Sequence, residues 1–163
     1  MNTRAKQAQA MVIRNVQPQD RLAWEQLFQG YARFYKVPMN EDILSRSWSW
    51  MLAPDHPVEG IVASLPSGEL IGLAHYRPVP ETLLGRESGF LDDLFVLDEY
   101  RGCGVGRRLI AAVSHIARER GWSALRWITA QDNAQAQILY DTLAEKTAWL
   151  TYELDLPAEP ASR

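Results

Sequence analysis

At 163 residues the chain has the length of one domain, with room for a single sizeable core. Its 47% hydrophobic and 23% charged residues exclude a disordered chain, and a formal net charge of −3 argues against generic nucleic-acid binding. No apolar run is long enough to span a membrane, and the single cysteine, Cys103, permits no internal disulfide, which points to a reducing, cytoplasmic setting.

Residues 1–10 carry Arg4 and Lys6 without acids but lack the apolar segment of a secretory signal, so they read as a flexible start. Residues 11–16 form a first strand, and Pro18 marks the turn into a helix. Along Ala23, Trp24, Leu27, Phe28, Tyr31, Phe34 and Tyr35 the apolar residues recur at helical spacing, and this helix ends before Pro38. Asn40 can cap a second, shorter helix that reaches about Met51, after which Pro54 and Pro57 prevent continuation. Residues 58–65 and 69–76, joined by Pro66-Ser67-Gly68, read as an antiparallel hairpin, and 77–89 as a loop. The next strand, 90–96, contains Asp92 and Asp93 in otherwise apolar surroundings. Past the glycine-rich turn that follows, Val105, Leu109, Ile110, Val113, Ile116 and Ala117 make one apolar helical stripe that Gly121 ends. A strand over 124–130, a helix over 133–145 and a closing strand over 148–154 complete the order. These elements predict a single α/β domain over residues 11–155, with a mixed, twisted central sheet and helices on both faces, between flexible termini 1–10 and 156–163.

The stretch Arg101-Gly102-Cys103-Gly104-Val105-Gly106, lying between a strand and an amphipathic helix, has the make-up of a pyrophosphate cradle. Alternating glycines let successive backbone N–H groups converge on one anion, and the helix adds its unpaired N–H groups and the positive end of its dipole. A nucleotide-hydrolysing loop needs Gly-Lys-Ser/Thr, whereas Gly106 is followed by Arg107-Arg108-Leu109. A dinucleotide fingerprint needs G-x-G-x-x-G, and from Gly102 or Gly104 the last glycine is replaced by Arg107 or Leu109. What remains, Arg-x-x-Gly-x-Gly after a strand, resembles the acetyl-CoA signature of the GNAT family of N-acetyltransferases. The likeness continues over residues 91–154 through Asn133-Ala134-x-Ala136 to Tyr140, in an order similar to diamine acetyltransferases and to the yeast histone and polyamine acetyltransferase group. Past Tyr140 the chain departs from the family pattern, because 140–149 contains no glycine.

The resemblance implies direct acetyl transfer from acetyl-CoA to an amine, without a metal. Backbone N–H groups of Arg101, Gly102, Cys103, Gly104, Val105 and Gly106 would hold the pyrophosphate, and the pantetheine arm would run along Leu94, Phe95 and Val96 like an added strand, with Asn133 and Ala136 near its amides. The Arg101 side chain is expected to pair with phosphate. An alkylammonium has a pKa of about 10.4, so a base must take its proton before attack. Strand alternation sends Asp92 and Asp93 to opposite faces. The resemblance matches Asp92 to the acidic residue near the acceptor amine, Glu in diamine acetyltransferases, so that the shorter side chain leaves room for a water relay. It likewise matches Tyr140 to the tyrosine that protonates the departing thiolate.

His56, His75 and His115 share no metal-ligand spacing with Cys103 and read as structural or solvated. Cys103 fits the turn as a small residue, while Trp48 and Trp50 read as core aromatics that could instead flank a cationic acceptor. The expected activity is N-acetylation of a polyamine, a small amine or a lysine side chain, the alternatives being protein N-terminal acetylation and a non-catalytic acetyl-CoA-binding sensor. In the yeast group the closing strands take part in oligomer contacts, which implies a homodimer by analogy.

Overall fold

The computed structural model describes residues 3–156, and the flexible tail expected beyond them lies outside the described residues. Two compact units divide the chain, Met1–Ile128 and Thr129–Arg163. The first carries α1 (Thr3–Gln9), β1 (Val12–Asn15), α2 (Arg21–Tyr35), α3 (Glu41–Leu52), β2 (Glu59–Ser64), β3 (Leu70–Glu81), β4 (Arg86–Val96), α4 (Val105–Glu119) and β5 (Leu125–Arg126). Its five-stranded sheet runs in the order β1-β2-β3-β4-β5, antiparallel except for the parallel β4–β5 pair. The α/β class and mixed sheet agree with the pattern read from the sequence.

Alternation along β3 explains why helices cover both faces. Leu73 points into a cluster with Trp24 and Leu27 of α2, Leu44 and Trp48 of α3, Val62 and Phe95. Gly72, one residue earlier, faces α4: a Cβ there would stand 3.2 Å from the methyls of both Val105 and Leu109, and 2.9 Å from the Phe95 carbonyl oxygen. The α4 stripe predicted from spacing is buried at Val105, Leu109, Ile110, Val113 and Ala117. Each such large side chain stabilises the fold by roughly 1.5–3 kcal/mol relative to leaving it in water. Asn40 caps α3 by accepting from the Ile43 N–H at 2.9 Å, as its position before the apolar run suggested.

Three differences from the sequence reading bear on the site. Residues 3–9, expected to be flexible, form helix α1 with Ala8 buried, because Arg108 donates to the carbonyls of Ala8, Gln9 and Met11. That tie comes from about a hundred residues away and leaves no local mark. Residues 77–89 are not a loop: β3 continues to Glu81, turns at 82–85 and returns as β4 from Arg86, in register from Arg77↔Phe90 to Glu81↔Arg86. Pro78 and Pro80 occupy alternate positions where β2 no longer pairs with β3, so their missing N–H groups can face an open edge. Finally, β5 covers only Leu125–Arg126, not 124–130.

In the second unit α5 spans Ala134–Tyr140, shorter than the predicted 133–145. It closes in turns, with Asp141 N–H donating to Gln137 and the N–H groups of Leu143 and Ala144 both donating to Tyr140. Residues 148–154 form no strand. Their apolar alternation is real, but a strand exists only with a ladder partner, and among the described residues none pairs with this segment.

Candidate active site

The site is built on a defect in the β3–β4 ladder. His75 pairs with Asp93 and Tyr76 with Leu91, leaving Asp92 as an extra residue without a partner across the sheet. Such a bulge interrupts the two-residue period of the strand. Asp92 and Asp93 therefore both line one cavity of about 460 Å³, correcting the expectation that alternation would part them. His75 and Arg77, two residues apart on β3, share that wall. Phe28 of α2, Ser47, Trp50 and Met51 of α3, Val58, Phe90 and Ile128 complete the lining.

Each carboxylate has a basic partner. Arg77 Nε donates to both oxygens of Asp92, at 3.0 and 3.1 Å, and the guanidinium stands 5.3 Å from the Phe90 ring centroid. Burial pushes the Asp92 carboxyl above the ordinary carboxylate range, against the opposing pull of Arg77. Asp93 Oδ2 lies 2.8 Å from His75 Nδ1, while Trp24 Nε1–H donates to His75 Nε2, also at 2.8 Å. An indole nitrogen can only donate, so Nε2 accepts and the proton of neutral His75 sits on Nδ1, aimed at Asp93. Trp24 is fully buried and His75 nearly so, which makes Trp24–His75–Asp93 a fixed relay from the core to the cavity. Nothing local in the sequence separates His75 from a structural or solvated histidine, Phe28 from the apolar stripe of α2, or Arg77 from the segment around it. Only strand register brings these residues to the carboxylates. Trp48 packs in the core, whereas Trp50 lines the cavity with its ring stacked on His56 at 5.0 Å.

From Asp93 the strand runs on through Leu94, Phe95 and Val96 toward the glycine turn. β4 and β5 pair only at Gly89↔Leu125 and Phe90↔Arg126. Past Phe90 no strand among the described residues covers that edge of β4. Gly102 and Gly104 have φ of +74° and +84°, a backbone region that other residues enter at a cost, and a Cβ on either would meet only open space. The backbone N–H groups of Gly102, Gly104, Val105 and Gly106 donate to no acceptor among the described residues, whereas those of Arg101 and Cys103 bond Asp98 and Tyr100. Consecutive free donors at the start of a fifteen-residue helix suit an anion. The Arg101 side chain, expected on phosphate, is instead paired with Asp98 at 2.7 Å, donates to the Val96 carbonyl and lies over the Phe34 and Phe95 rings. Cys103 is a half-buried free thiol in this turn.

The remaining predicted residues lie in the second unit. Asn133 caps α5 by accepting from the Ala136 N–H at 3.3 Å, and its amide donates to Thr129. Tyr140 ends the helix. Among the described residues no cluster of three metal-ligating side chains occurs.

Comparison with known proteins fits this geometry. The profile of the acetyltransferase (GNAT) family matches residues 23–144. The chain is 32% identical to the D-amino-acid N-acetyltransferase HPA3 of Saccharomyces cerevisiae, over 88% of this chain and 89% of that protein. It is also 32% identical to an aminoglycoside N(6')-acetyltransferase type 1 of Stenotrophomonas maltophilia, over 95% and 99% of the two chains. Among solved structures, the aminoglycoside N-acetyltransferase AAC(6')-Iy in complex with CoA shares the fold with a TM-score of 0.77 at 23% identity, covering 89% of this chain and 94% of that one.

Proposed function

Because the chain belongs to the acetyltransferase (GNAT) family and is an acyl-CoA-dependent N-acetyltransferase, we propose that it moves an acetyl group from acetyl-CoA directly onto the primary amine of a small molecule. The observation that carries the acceptor reading is the pair of carboxylates that the β4 bulge brings to one cavity wall. Two carboxylates and one guanidinium around a neutral imidazole leave that wall with a net negative charge, which draws an ammonium rather than an anion. The relatives named above act, by name, on D-amino acids and aminoglycosides, both amine acceptors.

The unpaired N–H groups at 102–106 are the donors that would hold the CoA pyrophosphate, and the open edge at Leu94–Val96 is where the pantetheine arm would add as a strand. The thioester supplies an activated acyl carbon. Asp93, held by His75, attracts the ammonium. Asp92, whose carboxyl burial pushes above the ordinary carboxylate range, accepts the ammonium proton directly or through a water. The freed nitrogen lone pair forms the C–N bond and the C–S bond breaks; the Tyr140 phenol gives its proton to the departing thiolate, and the second proton shed by the nitrogen returns through water to restore the phenol. The family resemblance assigns Asn133, which caps α5, and Ala136 to the pantetheine amides. The position of Asp92 on the cavity, rather than in the core, supports the catalytic reading over a non-catalytic acetyl-CoA-binding sensor. Apolar side chains exposed over 149–156, among them Trp149, Leu150, Tyr152 and Leu154, favour a homodimer in which a second copy covers them, and free Cys103 favours the reducing cytoplasm.

A CoA-release screen across amino acids, polyamines, aminoglycosides and lysine peptides tests this reading. Turnover with at least one small amine is expected. Turnover with lysine peptides alone would overturn the small-molecule assignment, and turnover with none would remove the acceptor reading.

A further inference from the structure

Among the described residues Arg77 is the one permanent cation lining the cavity, and pairing with Asp92 uses only a fraction of its donors. Its Nε bonds both Asp92 oxygens, while Nη1 and Nη2, which carry four of the five guanidinium N–H donors, donate to no protein atom among the described residues. The side chain is 40% exposed, lies against the Phe90 ring and lines the cavity, so its terminal nitrogens remain available to a ligand there. A lysine would meet Asp92 as a point charge, whereas the guanidinium adds a planar fork of further donors. A planar fork with its terminal nitrogens open has the geometry that a carboxylate matches through two parallel hydrogen bonds.

Resting on the acetyltransferase reading above, we propose that the acceptor is an α-amino acid: Arg77 Nη1 and Nη2 bind its carboxylate, Asp93 and Asp92 receive its ammonium, and an apolar side chain fills the rest of the cavity. In an α-amino acid the two charged groups are separated by a single carbon, so a site for it must place opposite charges side by side. Arg77 and Asp92 are in direct contact, and Asp93 is the next residue in the chain. A polyamine lacks a group for the open fork and would bring a second ammonium near the guanidinium. Phe28, Trp50, Met51 and Phe90 make the remaining wall largely apolar, which suits an aliphatic or aromatic side chain better than a hydroxyl-rich or charged one. A ~460 Å³ space accommodates an amino acid of that size.

Matched pairs isolate the carboxylate: each enantiomer of phenylalanine and leucine against phenethylamine, isoamylamine and the corresponding amino-acid amides, with spermidine as a polyamine. Two readouts are taken on wild type and on Arg77→Lys, which keeps a cation beside Asp92 but loses the fork: kcat/KM from CoA release, and acceptor affinity by calorimetry in the presence of CoA. Wild type is expected to favour at least one amino acid over its decarboxylated partner and its amide by tenfold or more. In Arg77→Lys that ratio should fall to within about threefold of unity. Wild-type turnover of amines with no carboxylate preference, or a preference that survives Arg77→Lys, overturns the proposal while leaving amine acetylation intact. Arg77-dependent binding of an amino acid that is never acetylated supports the subsite and overturns the transfer reading. Failure of every amino acid both to bind and to react overturns the proposal.

Discussion

His75 joins the core to the cavity, and its two bonds can be broken one at a time. With Trp24 at 0% and His75 at 3% exposure, the bond between them lies wholly out of water. In His75→Leu the indole N–H would be left unsatisfied, at about 1–3 kcal/mol, and the charge-assisted bond to Asp93 would be lost, at about 1.5–3 kcal/mol less whatever water returns to a side chain that is 24% exposed. The sum is about 3 kcal/mol, or a fall of ~6–12 °C in Tm for a chain of this length. His75→Gln can return an acceptor to Trp24 but not a donor at the Nδ1 position, so it should recover most of the stability while leaving Asp93 unheld. His75→Asn does the reverse, placing an amide N–H near the Nδ1 position and leaving the indole unpaired. Urea unfolding and steady-state kinetics on the three variants read the two effects separately. KM for the amine should rise about tenfold in the Leu and Gln variants and much less in Asn, in line with the loss of one charge-assisted bond. A His75→Leu protein destabilised by less than 1 kcal/mol, or equal stability of the Gln and Leu variants, would refute the relay.

Gly104→Val should leave the fold intact, since nothing lies near a Cβ there, but the φ of +84° is strained for a β-branched residue; calorimetry should show at least a tenfold loss of acetyl-CoA affinity, and retained affinity would remove the turn from the binding site. Tyr140→Phe should lower kcat by roughly 10²–10⁴ with acetyl-CoA affinity little changed, whereas Asp92→Asn should flatten the rise of rate with pH; a Tyr140→Phe enzyme within about twofold of wild type would leave protonation of the thiolate to solvent. Asp20 accepts from both terminal nitrogens of Arg14, at 2.6 and 2.9 Å, and from the Gln17 N–H at 2.8 Å; the Arg14 hydrogen bonds hold its carboxyl below the ordinary range. A depressed carboxylate contributes stability that is fully present above its unfolded pKa and lost as pH falls through the folded value. Asp20→Asn should therefore cost about 2 kcal/mol at neutral pH, with the wild-type and variant stability curves converging in acid; a gap that persists below the folded value would assign the effect to packing.

The sequence by itself determined whatever depends on neighbours a few residues apart. The α2 and α4 stripes, the Asn40 cap, the 58–76 hairpin and the Gly102–Gly106 turn each rest on local periodicity or local dihedral need, and each appears where spacing placed it. The α/β class followed, because the order of such elements leaves few ways to bury their apolar faces. Tertiary structure decided the rest. Helix α1 is tied down by Arg108, far along the chain, and the prolines of β3 are tolerated because β2 has stopped pairing beside them. The predicted closing strand shows the same dependence from the other side, since alternation over 148–154 does not make a strand without a partner. At the site, Asp92 was legible as a charge in an apolar strand, but its company was not. Whether Asp92 and Asp93 face one cavity turns on a single extra residue in the ladder, and whether His75 and Arg77 meet them turns on β3–β4 register. Register is settled by packing across the whole sheet, and a one-residue shift exchanges every side chain between its faces, so no local pattern encodes it.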